Sequence, residues 1–291
     1  MSSSSFASRY PSRIVCLTEE TTETLYLLGE DWRIVGISGY TVRPARARLE
    51  KPKVSAFTSA KMDRIVGLQP DLVLGFSDLQ ADIAMDLVRR GVSVHVFNHR
   101  SVQGILDMIA VLGALVGATD KAQALVHRLE DQLATATRTA RSADSRPRVY
   151  FEEWDEPMIS GIRWVSELIE IAGGIDCFAE LAPNPLAKQR IIADPAEVVR
   201  RRPDIIIGSW CGKKFRPDHV ARRPGWQEIP AVRSGHLYEI KSADILQPGP
   251  AALTDGLRRM RDIIEGWASH SASGPDVRVH GGLLGSAHGP A

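Results

Sequence analysis

The sequence repeats itself, and the repeat limits what it can fold into. IVGLQPDLVLGF (Ile65 to Phe76) and VVRRRPDIIIGS (Val198 to Ser209) share one pattern. Each ends a helix, passes through Pro-Asp, runs into a β-branched apolar stretch and closes on Gly. Upstream of each copy lies a second matched pair. RIVCLTEETTETLYLLG (Arg13 to Gly29) and RVYFEEWDEP…WVSELIEIAGG (Arg148 to Gly174) each read as strand, polar turn and helix. Two α/β units in tandem predict two lobes with a cleft between them, a shape suited to holding a small molecule.

With 291 residues, 44% of them hydrophobic, the chain can build two cores. A formal net charge of +1 gives no field that would draw it to nucleic acid or an anionic membrane. Cys16, Cys177 and Cys211 are too scattered for a disulfide scaffold or a zinc knuckle, and Cys16 sits inside an apolar run. No stretch is long and apolar enough to span a bilayer, and MSSSSFASRYPSR is not a secretory signal. The chain as written is therefore expected in the cytoplasm, or in the periplasm if an export signal has been removed. Enzyme motifs are missing: there is no GxGxxG after the first strand, no P-loop, no GxSxG and no HExxH. A non-enzymatic chain is expected.

The fold expected is α/β, with two Rossmann-like lobes, each a mostly parallel sheet with flanking helices. Residues 1–11 read as disordered, 12–100 as the first lobe and 148–268 as the second. Residues 269–291, rich in Gly, Ser, His and Pro, read as a disordered tail whose His280 and His288 are solvated. Between the lobes, 101–147 lacks strand character. Ile105, Met108, Ile109, Leu112 and Leu115 share one helical face, and Leu125, Leu129 and Leu133 a second. One long helix, or two in line, is expected there. In the first lobe Thr18 to Thr22 reads as a polar turn capping a helix from Glu23 to Leu28.

Ligands of open α/β sheets sit beyond the carboxyl ends of the strands. Reading past each strand nominates Thr18, Glu19, Glu20, Tyr40, Thr41, Phe57, Phe76, Ser77, Asp78, Asn98 and His99 in the first lobe. It nominates Glu153, Trp154, Trp164, Trp210, Lys213, Lys214, Asp244 and Gln247 in the second. Aromatic walls with a few polar groups suit a large, flat or chelated ligand. Trp32 and Trp226 read as ordinary core or turn residues.

With these residues assembled, the chain resembles the metal-chelate-binding proteins of ABC importers. This is the helical-backbone class of periplasmic binding proteins, which take cobalamin, haem or ferric siderophores, and the cobalamin-binding members are the nearest likeness. The resemblance covers Ser12 to Trp267. It rests on the order of RIVCLTEETTETLYLLG, RIVGISGYTVRP, KMDRIVGLQPDLVLGF, the linking helix, ISGIRWVSELIEIAGGIDCF and DPAEVVRRRPDIII. It implies two lobes joined by a rigid backbone helix, with a cobalamin-like ligand or another metal chelate between them and no resident cofactor. Tyr40 falls at the family's stacking aromatic, and Phe57 where the cobalamin binder carries Trp. Trp154 and Trp210 lie near second-lobe aromatics, and Asp244 to Gln247 form the last cleft loop. Asp63 and Glu197 fall at the acids that dock each lobe onto the permease; an ordinary first-turn acid is the alternative reading of both. The cleft stretches EEWDEP and GSWCGKK are more charged than is usual in the family. A ferric siderophore or haem, paired with Lys213 and Lys214, is the competing ligand. A monomer is expected.

Overall fold

The computed structural model describes residues 9–140 and 146–272. Expectations for the first eight residues and for His280 and His288 lie outside them.

The first sheet is built from β1 (Ile14–Cys16), β2 (Ile34–Ser38), β3 (Lys53–Ser55), β4 (Leu72–Phe76) and β5 (Val94–Phe97). All are parallel, in the order β3-β2-β1-β4-β5. Between them run α1 (Glu19–Leu27), α2 (Ala47–Glu50), α3 (Met62–Gly67) and α4 (Ala81–Arg89). The linking region holds α5 (Val102–Leu115) and α6 (Thr119–Thr139). The second sheet contains β6 (Arg148–Asp155), β7 (Met158–Ser160), β8 (Ile175–Asp176), β9 (Ile205–Gly208) and β10 (Leu237–Glu239). Its order is β10-β9-β6-β7, with β8 also on β6, and only β7 is antiparallel. Its helices are α7 (Arg163–Ile171), α8 (Ala196–Arg201), α9 (Pro217–Ala221), α10 (Pro230–Arg233), α11 (Ser242–Ile245) and α12 (Leu257–Ala272). A π-helical segment, Ala252–Gly256, leads into α12.

Strand alternation splits the cores. Ile14 and Cys16 of β1, with Val149 and Phe151 of β6, face one central core that also takes in α5, α6 and α12. Val15 and Leu17 face an outer cluster in lobe one, and Tyr150 one in lobe two. Buried there, the thiols of Cys16 and Cys177 are each pushed up to about 12 by loss of solvation, which makes them inert.

The sequence repeat is a structural repeat. In both lobes a non-glycine residue with positive φ (Gln69 at 49°, Arg202 at 46°) ends the helix before Pro-Asp. Asp71 accepts from the backbone N–H groups of Ser12 (2.7 Å) and Arg13 (2.9 Å); Asp204 accepts from that of Arg148 (2.8 Å). Arg13 and Arg148 return the favour, each donating from its side chain to carbonyls at the end of the preceding helix. The two Pro-Asp segments thus pin β1 to β4 and β6 to β9. Asp71→Ala is expected to cost about 1–3 kcal/mol, because two backbone donors lose a charged acceptor. Asp204→Ala should cost less, having one such bond. Urea denaturation of the two variants checks the ranking.

Two expectations are corrected. The long backbone helix expected between the lobes is α6, 21 residues long, but α5 precedes it out of line rather than extending it. Gly113 of α5 sits directly against Ala122 of α6, where an added Cβ would lie 2.2 Å from the Ala122 Cβ. Gly117, at φ +73°, reverses the chain between them, and the two helices fold back on each other. The second correction concerns TEETT, which is not a turn. Helix α1 begins at Glu19, and Thr18 is its N-cap by backbone position. Glu19 to Thr24 are all buried beneath the second lobe. At the other end of the chain, α12 runs through residues 269–272, past the expected start of the tail. Trp226 is fully buried as expected, whereas Trp32 is exposed under the guanidinium of Arg33.

Candidate functional site

In lobe one the connections run outward in opposite directions from β1 and β4, so the crevice opens beyond their carboxyl ends. The chain leaving β1 places Thr18, Glu19 and Glu20 there, but all three are buried, Glu20 against Gly249 of lobe two. The chain leaving β4 supplies Ser77 and Asp78. Ser77 has φ +68° and ψ 168°, a backbone region other residues leave to glycine, and its hydroxyl accepts from the Leu79 N–H at 3.3 Å. Beyond β5, Asn98 is exposed. His99 packs edge-on to Phe76 and Phe97 and bonds through Nε2 to the Pro248 carbonyl of lobe two at 2.8 Å. Burial holds its imidazole below the usual histidine range. Next to it, Arg100 stacks over Phe76 at 4.8 Å and reaches Asp78 at 3.2 Å.

Lobe two places Glu153, at the end of β6, against Arg190. Two bonds of 2.6 and 3.1 Å join them, and Arg190 is 1% exposed. Burial lowers the Arg100 guanidinium, and the nearby charge of Arg190 adds to that. On the other face of β6, Lys213 is held between two indoles, 4.8 Å from Trp154 and 4.9 Å from Trp210, with Asp155 at 2.6 Å.

The nominated residues divide. Tyr40, 64% exposed beyond β2, is free to meet a ligand, whereas Trp154, at the end of β6, is half-buried against the outer cluster of lobe two with its indole N–H donating to the Glu156 carbonyl at 2.9 Å. Phe57 is partly buried against the central core, and its carbonyl accepts from Gln80. Trp210 and Trp164 are corrections. Trp210 is 4% exposed and donates to Glu152; Trp164 is 3% exposed and donates to the Ile245 carbonyl at 2.9 Å. Both brace lobe two, because their polar edges are consumed inside it. Asp244 is buried and paired with Arg43 and Arg259, and Gln247 is half-buried in the same segment. Lys213 is already neutralised by Asp155.

Asp63 and Glu197 are the second residues of the equivalent helices α3 and α8, one on each lobe. Asp63 is fully open to solvent 3.4 Å from Arg90. Glu197 is held by Arg200 and Arg201 at 2.7 Å each, which lowers its carboxyl below the ordinary range. A cavity of about 500 Å³ lies between α1 and the loop after β2, lined by Glu23, Tyr26 and Arg43, and another of about 590 Å³ between α6 and the start of α12. Among the described residues no cluster of three or more His, Cys, Asp or Glu side chains is arranged to hold a metal.

Sequence reasoning passed over Arg43, Arg100 and Arg190. Arg100 was one position beyond the last nominated residue. Arg190 sits in the irregular segment before α8, with no pattern to mark it.

The chain is 25% identical to a vitamin B12-binding protein of Vibrio parahaemolyticus, over 87% of this chain and 89% of that one. It is equally similar, over 87% and 80%, to an uncharacterised ABC transporter substrate-binding lipoprotein of Bacillus subtilis. The fold matches the periplasmic haem-binding protein RhuT of Roseiflexus, with a TM-score of 0.73 and 22% identity over 87% of this chain and 99% of that one. Among the described residues no helix is long and apolar enough to cross a membrane. The periplasmic binding protein model matches residues 14–243, spanning both lobes and the helices between them, and the chain belongs to that family of binding proteins rather than to any class of enzymes.

Proposed function

We propose that the protein captures a corrinoid, or a closely related metal chelate, in the cleft between its lobes and presents it to an ABC permease. The observation that carries this reading is the likeness to the Vibrio vitamin B12-binding protein along nearly the whole of both chains. The site supports it with an exposed tyrosine at a strand end of lobe one and a half-buried tryptophan at a strand end of lobe two. Asp63 and Glu197, one on each lobe at matched positions, are the groups that would meet the permease. The protein acts as a monomer. The periplasmic and lipoprotein relatives favour a place outside the cytoplasmic membrane over the cytoplasm.

The test is a visible absorption spectrum after incubation with cyanocobalamin, haem or a ferric siderophore, followed by desalting. Retained cobalamin supports the reading. Tyr40→Ala with Trp154→Ala should then weaken binding about tenfold or more, since each aromatic contact is worth ~0.5–1.5 kcal/mol beyond its buried area. An unchanged dissociation constant would remove both residues from the site. Trp210 is unsuited to this test, because its indole holds the interior of lobe two together.

One observation favours a second ligand class. Arg100 stands at the strand ends of lobe one, over Phe76 and 3.2 Å from Asp78. An anionic ferric chelate or haem would add a charged partner for it, whereas a corrinoid would meet it largely by stacking. Steep weakening of binding with added salt would mark the anionic ligand.

A further inference from the structure

One side chain gathers carboxylates from both lobes. Arg43 leaves β2 of lobe one by way of the Tyr40 loop, and its guanidinium serves three carboxylates. Nε donates to Glu23 of α1 at 2.9 Å. Nη1 donates to Asp244 at 3.1 Å and Nη2 to Asp255 at 2.8 Å, both on lobe two. Each partner is itself fixed. The second oxygen of Glu23 accepts the backbone N–H of Ala251 at 3.0 Å. Asp244 is also paired with Arg259 at 3.2 Å, and Asp255 with Arg258 at 2.8 Å.

The backbone of lobe two is shaped to fit this contact. Gly249 lies so close to α1 that a Cβ there would come within 2.5 Å of the Glu20 Cβ. Gly256 closes the π-helical segment, and a Cβ on it would meet the Asp244 carbonyl at 2.4 Å. The His99 bond to Pro248 lies in the same segment. A half-buried arginine shared among three carboxylates from two lobes has little reason to exist for the stability of either lobe alone.

We propose that Arg43 is the positioning residue that sets the width of the cleft, by holding the segment from Asp244 to Gly256 against α1. It touches no ligand and acts through the distance it imposes between the lobes. The consequence for binding rests on the cleft being the ligand site; the consequence for lobe separation does not. With Arg43 removed, the lobes sample wider separations. If the binding-competent separation falls to a tenth of the population, affinity falls about tenfold.

Lobe separation can be measured without any ligand. Cys211 is exposed on lobe two, while Cys16 and Cys177 are buried, so a spin label attaches at Cys211 and at one added site, Arg89→Cys, on exposed α4 of lobe one. Arg43→Met in this background should broaden the distance distribution and speed hydrogen exchange at the Ala251 amide. Arg43→Lys, which can serve one carboxylate at a time, should recover part of both. Asp244→Asn keeps a hydrogen-bonding group and should show the same changes more weakly, which covers the case in which Arg43→Met does not fold. An unchanged distance distribution and unchanged Ala251 exchange in a folded Arg43→Met or Asp244→Asn protein would overturn the proposal. Cyanocobalamin affinity is then titrated in the same variants. A wild-type protein that retains no chelate would overturn the ligand reading, and the distance measurement would still decide the role of Arg43.

Discussion

Arg223→Leu is expected to destabilise the protein by about 3–5 kcal/mol, because it strands a buried carboxylate. Glu152 is 0% exposed on the outer face of β6. Its oxygens take two bonds from Arg223, at 2.5 and 2.9 Å, one from the Tyr150 hydroxyl at 2.8 Å and one from the Trp210 indole at 3.1 Å. The guanidinium is the only cation among these partners. Without it the charge remains in an apolar cluster with two neutral donors, which do not replace the lost solvation. The ring of Trp226, stacked 4.6 Å beneath Arg223, also loses its cover. Combining Arg223→Leu with Glu152→Gln should recover a large part of the loss, because the amide keeps an acceptor for Tyr150 and Trp210 without a charge. Guanidinium unfolding of the single and double variants provides the comparison. If the single variant costs under about 1 kcal/mol, the value of an exposed pair, the network is not carrying a buried charge.

This network shows where local sequence stops being informative. The Pro-Asp repeats were legible because Pro and Asp each act on the backbone within a few residues, and the Asp71 and Asp204 contacts confirm that. The alternation of Ile14 and Cys16 against Val15 and Leu17 was legible because strand periodicity is local. By the same alternation Glu152 and Glu153 fall on opposite faces of one strand. What each face meets was not readable, since Arg223 and Arg190 arrive from distant segments. Trp164 and Trp210 fell at strand and helix ends in the sequence, yet their indoles turn inward because Ile245 and Glu152 offer acceptors there. The same holds for α1. A run such as TEETTE looks like a solvated turn until the Gly249–Ala251 backbone, more than two hundred residues away, covers it. The hairpin of α5 and α6 depended on one small-residue contact, Gly113 against Ala122, which periodicity does not report.

That covered run makes stability depend on pH in an unusual direction. Loss of solvation raises the Glu19 carboxyl to about 8 and the Glu20 carboxyl to about 7, against an ordinary value of 4.5, and raises Glu23 as well. The charges that face them come from several elements. Arg43 bonds Glu23, while Asp255 and Asp244 bring like charge from lobe two. Glu19 also accepts the Val42 N–H, and Glu20 accepts from the Thr18 hydroxyl, but burial outweighs these bonds. A carboxyl whose pKa is higher when folded binds more protons in the folded state than in the unfolded one. Between the two pKa values, stability therefore falls as pH rises. For Glu19 and Glu20 the window runs from about 4.5 to about 8. At ~1.4 kcal/mol per pKa unit the loss across it is several kcal/mol. Glu19→Gln with Glu20→Gln removes both protons from the balance. The double variant should be less pH-sensitive than wild type between pH 5 and 9, and more stable than wild type at the alkaline end. Amide exchange at Ala251 should rise with pH in wild type beyond its intrinsic chemical dependence, and less so in the variant, because the second lobe rests on the start of α1. Parallel stability curves for the two proteins across that range would show that the buried carboxyls at the start of α1 do not titrate there.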